Sequence, residues 1–237
     1  DKQDLIIEIG PGLGVLTNRL LQESNNVVAV ELDKRMVNIL KDRFAQNIND
    51  KAESKLEIIN EDILKINLNQ LIAEKRKKQE IKQVKIVANL PYYISTPIIM
   101  KLLENRLDID EIIVMVQKEV AERLIAKTGT RLAGAITYAV EYYSEATSLI
   151  KVPKESFVPS PKVESEVIKL KVRKDEKIHV ENEKLLFNII SKSFMQRRKT
   201  LSNALLNNNI MKNKDDVKKM WTELNKKIEA KNKEIIK

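Results

Sequence analysis

Asn89-Leu90-Pro91-Tyr92-Tyr93-Ile94-Ser95-Thr96-Pro97 is the stretch of this sequence whose residue types could do chemistry. It follows an apolar run, Val84, Ile86, Val87 and Ala88, that reads as a strand, and proline stops that strand abruptly. Pro91 fixes its own φ, lacks an N–H and pushes Leu90 toward an extended conformation, so the Leu90 carbonyl and the Asn89 amide can leave a sheet pointing the same way. Two acceptors beside the Tyr92 ring suit alkylation of an aromatic exocyclic amine such as adenine N6. The lone pair of that nitrogen is delocalised into the ring, and acceptors gripping its N–H bonds favour the tetrahedral, nucleophilic form. An isolated Asn-x-Pro-Tyr is equally a strand followed by a tight proline turn, so the rest of the sequence has to decide.

A site of that kind needs strands to hold it. Leu5, Ile6, Ile7 and Ile9 form a short apolar run ending in Glu8-Ile9-Gly10-Pro11-Gly12-Leu13-Gly14, after which Leu13, Leu16 and Leu20 repeat at helical spacing. Strand, glycine turn and helix in this order let backbone approach a ligand and offer it free N–H groups. Val27-Val28-Ala29-Val30 then reads as a strand buried on both faces and ends at Glu31. Glu31 follows Gly10 by 21 residues, close to the roughly 20-residue spacing at which an acid meets ribose hydroxyls. The third glycine comes one residue early for the dinucleotide pattern, with Val15 in the expected place, which disfavours NAD. Leu56, Ile58 and Ile59 form a third strand running into Glu61-Asp62-Ile63; Asp62 can accept from an adenine amino group or cap a helix.

Residues 67 to 82 predict a surface helix and loop, with Lys75, Arg76, Lys77 and Lys78 as a solvated run. Ile98, Ile99, Leu102 and Leu103 predict a helix, Ile112 to Val116 a fifth strand, Val120, Leu124 and Ile125 the buried face of another helix, and Leu132 to Tyr143 one more. Residues 147 to 152 and 163 to 172 read as a closing pair of strands. Alternating strands and helices predict an α/β fold with a doubly wound, Rossmann-like, mainly parallel sheet. The loop Phe157-Val158-Pro159-Ser160-Pro161-Lys162-Val163 joins the last two strands, with Phe157 either exposed for a ligand or packed as part of a plain connector. Beyond Arg173 the pattern is helical only, so residues 1–173 and 174–237 are expected to be separate domains. The second is small and basic, with Arg197, Arg198 and Lys199 in its centre, and the Lys-rich end from Lys212 is weakly patterned, with Trp221 and Leu224 as anchors.

Composition sets outer bounds. Apolar residues make up 43% and charged residues 32% of 237 positions, and no apolar run is long enough for a bilayer, so no membrane segment or signal peptide is expected. The absence of cysteine excludes disulfides and thiolate metal sites and suits the cytoplasm, while the single His179 leaves no basis for a histidine metal centre. A net charge of +9 favours an anionic partner.

Taken together and in order, Glu8 to Gly14, Glu31-Leu32-Asp33, Glu61-Asp62-Ile63, Asn89 to Tyr92 with Ser95-Thr96-Pro97, Gln117-Lys118-Glu119-Val120, the Phe157 loop and Gln196-Arg197-Arg198-Lys199-Thr200-Leu201 resemble the small-subunit ribosomal RNA adenine dimethyltransferases, the KsgA family. The resemblance runs from residue 4 to about residue 207. It implies S-adenosylmethionine as methyl donor and N6-dimethylation of two adjacent adenosines near the 3′ end of small-subunit rRNA, by a cytoplasmic monomer acting on immature small subunits. It further implies that Gly10, with Glu8, Gly12 and Gly14, lines the methionine and ribose. Glu31 with Leu32 holds the ribose, and Asp62 with Ile63 meets the cofactor adenine. Asn89 and the Leu90 carbonyl, set by Pro91, grip the target N6, and Tyr92 and Phe157 stack on the flipped base. Arg197, Arg198 and Lys199 would meet rRNA phosphates, and no metal is implied. The family's segment before the first strand, with a Gln-Asn-Phe-Leu-like motif that helps close over the cofactor, has no counterpart here, which implies weaker cofactor retention by these residues alone. The family's usual C-terminal ending is not recognisable after Met211. The alternatives are an Erm-type large-subunit rRNA dimethyltransferase, from which the Gln117-Lys118-Glu119 and Ser160-Pro161-Lys162-Val163-Glu164 blocks distinguish it, and a non-catalytic nucleic-acid-binding factor, against which the intact Asn89 loop speaks.

Overall fold

The computed structural model describes residues 1–48, 54–175, 180–195, 200–208 and 210–235. Arg197, Arg198, Lys199 and His179 lie outside the described residues. The chain divides into two compact units, Asp1–Ile178 and His179–Lys237; the boundary expected after Arg173 falls slightly earlier. In chain order the first unit contains β1 (Leu5–Ile9), α1 (Val15–Glu23), β2 (Asn26–Glu31), α2 (Lys34–Arg43), α3 (Ala45–Ile48), β3 (Leu56–Asn60), α4 (Leu68–Lys78), β4 (Val84–Asn89), α5 (Ser95–Glu104), β5 (Glu111–Gln117), α6 (Lys118–Ile125), α7 (Ala135–Tyr143), β6 (Ser144–Val152) and β7 (Ser165–Val172). The second contains α8 (Glu183–Met195), α9 (Leu201–Asn207) and α10 (Lys214–Ile235).

The strands form one seven-stranded sheet in the order β3-β2-β1-β4-β5-β7-β6. Five are parallel, as their near-continuous apolar sequences require, since helices cover both faces. Strand order reverses beside β1, whose neighbours are β2 on one side and β4 on the other, and this switch point is where open α/β sheets leave a crevice. β7 turns antiparallel between β5 and β6, so the closing pair is a hairpin added to one edge. Among the described residues, no helix is long and apolar enough to cross a membrane, and no cluster of three acidic or histidine side chains could hold a metal ion.

Three local expectations need correction. α1 begins at Val15, after Gly14 adopts a left-handed backbone, so Leu13 stays in the turn at 56% exposure and Thr17 becomes the buried centre of the helix face. The Lys75 to Lys78 run is only partly solvated: Lys75 pairs with Glu57 of β3 at 2.7 Å, and Arg76 reaches Asp108 at 2.9 Å. The weakly patterned C-terminal stretch is the 22-residue helix α10, on which Val217 is buried and the Trp221 Nε1–H donates to Ser202 Oγ at 3.4 Å.

Gly14 shows how tightly the first turn is packed. Its φ is +77°, and a Cβ there would lie 2.6 Å from a Phe44 ring carbon and 2.8 Å from a Leu40 methyl, in the cluster of Val27, Ala29, Leu40, Phe44 and Leu56. Gly14→Ala is therefore expected to lower the unfolding free energy by about 3 kcal/mol, combining left-handed strain with overpacking. Gly129→Ala, at φ +80° in open space, should cost only about 1–2 kcal/mol. Chemical denaturation of the two variants checks the difference.

Candidate active site

Pairing register brings the expected ligand residues to one level. Ile9 lies opposite both Val30 and Ala88, Glu31 lies opposite Asn60, and Asn89 lies opposite Met115. Gly10, Glu31, Asn60 and Asn89 therefore leave the sheet side by side. Gly10 and Glu31 border a cleft of about 270 Å³ lined also by Ile9, Leu32, Asp62, Ile63, Pro91, Tyr93, Ile94 and Ile98, among others; Asn89 does not line it. One end is acidic and the remainder is apolar.

Glu31 is held by its own surroundings. Its Oε2 accepts the Gly12 N–H at 3.1 Å and its Oε1 accepts the Asp33 N–H at 2.9 Å, so the carboxylate is fixed before any ligand arrives. Asn60, which the sequence reading passed over, donates its Nδ2–H groups to the Glu31 carbonyl at 2.9 Å and the Leu32 carbonyl at 3.1 Å. Its signal was an amide at the end of an apolar strand, where asparagine is disfavoured unless its side chain is used. Asp62 lines the cleft and also satisfies the plainer alternative, because its Oδ1 accepts the Leu64 N–H at 2.9 Å and so closes a turn.

The glycines divide into two kinds. Gly10 and Gly12 have φ of +69° and +55°, and nothing lies within 4 Å of where a Cβ would be, so their backbone presents an unobstructed face. Gly14 faces Leu40 and Phe44 instead. Glu8 is 1% exposed beneath this turn and accepts the Thr17 hydroxyl at 2.6 Å. Burial, reinforced by the nearby Glu31 charge, pushes the Glu8 carboxyl up to about 7. Thr17 was also missed; a small hydroxyl on an otherwise apolar helix face was the available clue.

The Asn89 loop is a turn leading straight into α5. Leu90 is buried and its N–H reaches the Met115 carbonyl at 3.4 Å, while the Ile94 N–H donates to the Pro91 carbonyl at 3.1 Å and the Ser95 hydroxyl to the Tyr92 carbonyl at 3.2 Å. Pro97 falls in the first turn of α5, where its missing donor costs nothing. Asn89 is exposed. Of the two tyrosines, it is Tyr93, at 87% exposure, that rims the cleft. Tyr92 turns toward the neighbouring strand and its hydroxyl meets Ser165 Oγ at 2.7 Å.

Phe157 is half-buried in the loop between β6 and β7. That loop rises from the same edge, because Ser165 lies opposite both Gln117 and Val152. Its far end is pinned where the Lys118 N–H donates to the Glu164 carbonyl at 3.0 Å and the two side chains pair at 2.7 Å. The Gln117-Lys118-Glu119 and Ser160-to-Glu164 blocks are thus two halves of one clamp. Neither Tyr92 nor Phe157 lines the 270 Å³ cleft; they stand on the Asn89 side of it.

The sequence pattern of the ribosomal RNA adenine dimethylases matches residues 1–236. The chain belongs to the ribosomal RNA adenine dimethylase family. It is 47% identical over 202 residues to the ribosomal RNA small subunit methyltransferase A of Alkaliphilus metalliredigens, covering 85% of this chain and 67% of that relative. It is 43% identical over 222 residues to the protein of the same name from Clostridioides difficile, covering 94% and 73%. Among solved structures it resembles a dimethyladenosine transferase from Plasmodium falciparum, with a TM-score of 0.69, 30% identity and coverage of 95% and 76%. The 23S rRNA methyltransferase ErmE, at a TM-score of 0.63, 22% identity and coverage of 87% and 77%, shares the fold. The family match extends through α10, beyond the point at which the family ending ceases to be recognisable by eye.

Within this family site Glu8 carries a pH signature. An acid whose pKa rises on folding holds its proton more tightly folded than unfolded, so its stabilising effect is complete below its ordinary value of 4.5 and is lost as pH rises through about 7. Glu8→Gln, which keeps an acceptor for Thr17, should flatten the fall in stability between pH 5 and 8 and exceed the wild type at pH 8 by on the order of 2–3 kcal/mol. Parallel stability profiles for the two proteins would refute this.

Proposed function

We propose that this chain transfers methyl groups from S-adenosylmethionine to N6 of two adjacent adenosines near the 3′ end of small-subunit rRNA, dimethylating each, within immature small subunits. The observation that carries this reading is the shared register at which a fixed acid, an apolar cleft and the Asn89-Leu90-Pro91-Tyr92 loop leave neighbouring strands. The names of the relatives at 43–47% identity, and of the Plasmodium structure, support the same substrate class.

The residues present fit the cofactor. The open backbone at Gly10 and Gly12 leaves room for its amino-acid part, Glu31 and Leu32 suit a ribose, and Asp62 and Ile63 border an apolar space for its base. When bound, S-adenosylmethionine supplies an electrophilic methyl group on a sulfonium. The chain's task is then to present N6 as a nucleophile. The Asn89 side-chain carbonyl and the Leu90 carbonyl accept from the N6 amine and favour its tetrahedral form, and these hydrogen bonds gain strength as charge develops on nitrogen. Pro91 sets the angle between them. Tyr92 and Phe157 hold the flipped base by stacking. Residues 174–237 dock on rRNA, with Arg197, Arg198 and Lys199 reaching phosphates, and the enzyme works as a monomer in the cytoplasm.

Two variants test the division of labour. Asn89→Ala should reduce single-turnover methyl transfer to immature small subunits by on the order of 100-fold while leaving S-adenosylmethionine affinity intact. Glu31→Ala should do the reverse, weakening cofactor binding by about 1.5–3 kcal/mol in calorimetry with the fold retained. An Asn89→Ala enzyme that turns over normally would reduce the loop to a structural turn, and dimethylated adenosine appearing in large-subunit rRNA instead would reassign the substrate.

A further inference from the structure

The Tyr92 hydroxyl bond to Ser165 joins two segments 73 residues apart. One partner sits on a turn and the other on a rigid support. Ser165 is 1% exposed and is paired on both sides, with Gln117 of β5 and Val152 of β6, so the backbone that carries its Oγ is fixed. A tyrosine on a turn, in contrast, keeps two side-chain torsions, and tethering its far end fixes both. Among the described residues Tyr92 is moreover the hydrogen-bond partner of this buried hydroxyl, which would otherwise carry a desolvation cost.

Ser165 also begins where the Phe157 loop ends. Its neighbour Glu164 is held by Lys118 through backbone and side chain, so the strand end that anchors Tyr92 is the one that anchors the loop bearing Phe157. The exposed ion pair contributes little energy, and the rigid element is the three-strand junction at Ser165. We infer that Ser165 is a positioning residue for methyl transfer, acting through the Tyr92 hydroxyl to fix the tilt of the ring against which the target adenine rests. The inference rests on the proposed stacking role of Tyr92. It assigns no contact between Ser165 and substrate.

The test is a double-mutant cycle with Tyr92→Phe, Ser165→Ala and both together, read by single-turnover methylation of immature small subunits at saturating S-adenosylmethionine. Each single variant should be slower by about fivefold, the rate equivalent of one neutral hydrogen bond. The double variant should be no slower than the slower single, and cofactor affinity should match the wild type, while Tyr92→Phe, which strands the Ser165 hydroxyl, should be the least stable of the three. Single variants within about twofold of wild type, or losses that multiply to about 25-fold in the double, would overturn the inference. Tyr92→Ala separates the two levels of the argument. If it is inactive while Tyr92→Phe and Ser165→Ala are normal, the stacking role stands and the tether falls; if Tyr92→Ala is also normal, the stacking role itself falls.

Discussion

Parallel pairing of β1 with both β2 and β4 is the constraint on which the rest of the site depends. With Ile9 level with Val30 and with Ala88, the glycine turn, Glu31 and Asn89 must emerge at a common height. Neighbouring strands stand only about 4.8 Å apart, so three chemically different groups converge without any loop having to reach. A slip of one residue in either pairing would turn each side chain to the opposite face of the sheet. The apolar faces of β1 and β2, buried throughout, prevent that slip. The same burial that stabilises the sheet therefore sets the distance between donor and acceptor halves of the reaction.

Electrostatics within the cleft follow from that geometry. Glu8 and Glu31 sit on adjacent strands near one turn, and their mutual repulsion is relieved unequally. Glu31 receives two backbone N–H groups, from Gly12 and Asp33, whereas Glu8 receives only the Thr17 hydroxyl and is cut off from water. Glu31 is thereby held in place by backbone donors, and Glu8 is pushed up to about 7. Asn60 completes the arrangement from the third strand by restraining the carbonyls on either side of the Glu31–Leu32 peptide link.

Much of this was legible in the sequence because it follows from local rules. Strand ends at Ile9 and Asn89 are announced by glycine or proline after apolar runs, that at Glu31 by the acid that closes an unbroken apolar run, and the acidic residue spacing follows from one βαβ unit. What was not legible required knowledge of neighbours in space. Leu13 looked like a helix position because its spacing to Leu16 and Leu20 is correct, yet the left-handed Gly14 delays the helix and hands the buried place to Thr17. Lys75 and Arg76 looked solvated because their partners, Glu57 and Asp108, belong to other elements. Gly14 was grouped with the ligand glycines, and only the packing of Leu40 and Phe44 shows which way it faces. Between Tyr92 and Tyr93 no sequence rule chooses, because the choice depends on Ser165.

The reversed strand β7 has a consequence for the order in which the molecule assembles. β6 pairs with β7 alone, so it cannot join the sheet until the later strand has been laid against β5. The cofactor cleft is drawn from Ile9 to Ile98, and its elements are complete once α5 has been synthesised. The aromatic slot needs a contact between residues 92 and 165, a closure of high contact order that is intrinsically slow. As the chain leaves the ribosome, N-terminal portion first, every residue lining the 270 Å³ cleft has been synthesised before Ser165 can meet Tyr92. A nascent chain of this kind passes through a stage at which the proposed donor cleft has all its residues while the proposed base slot still lacks one wall.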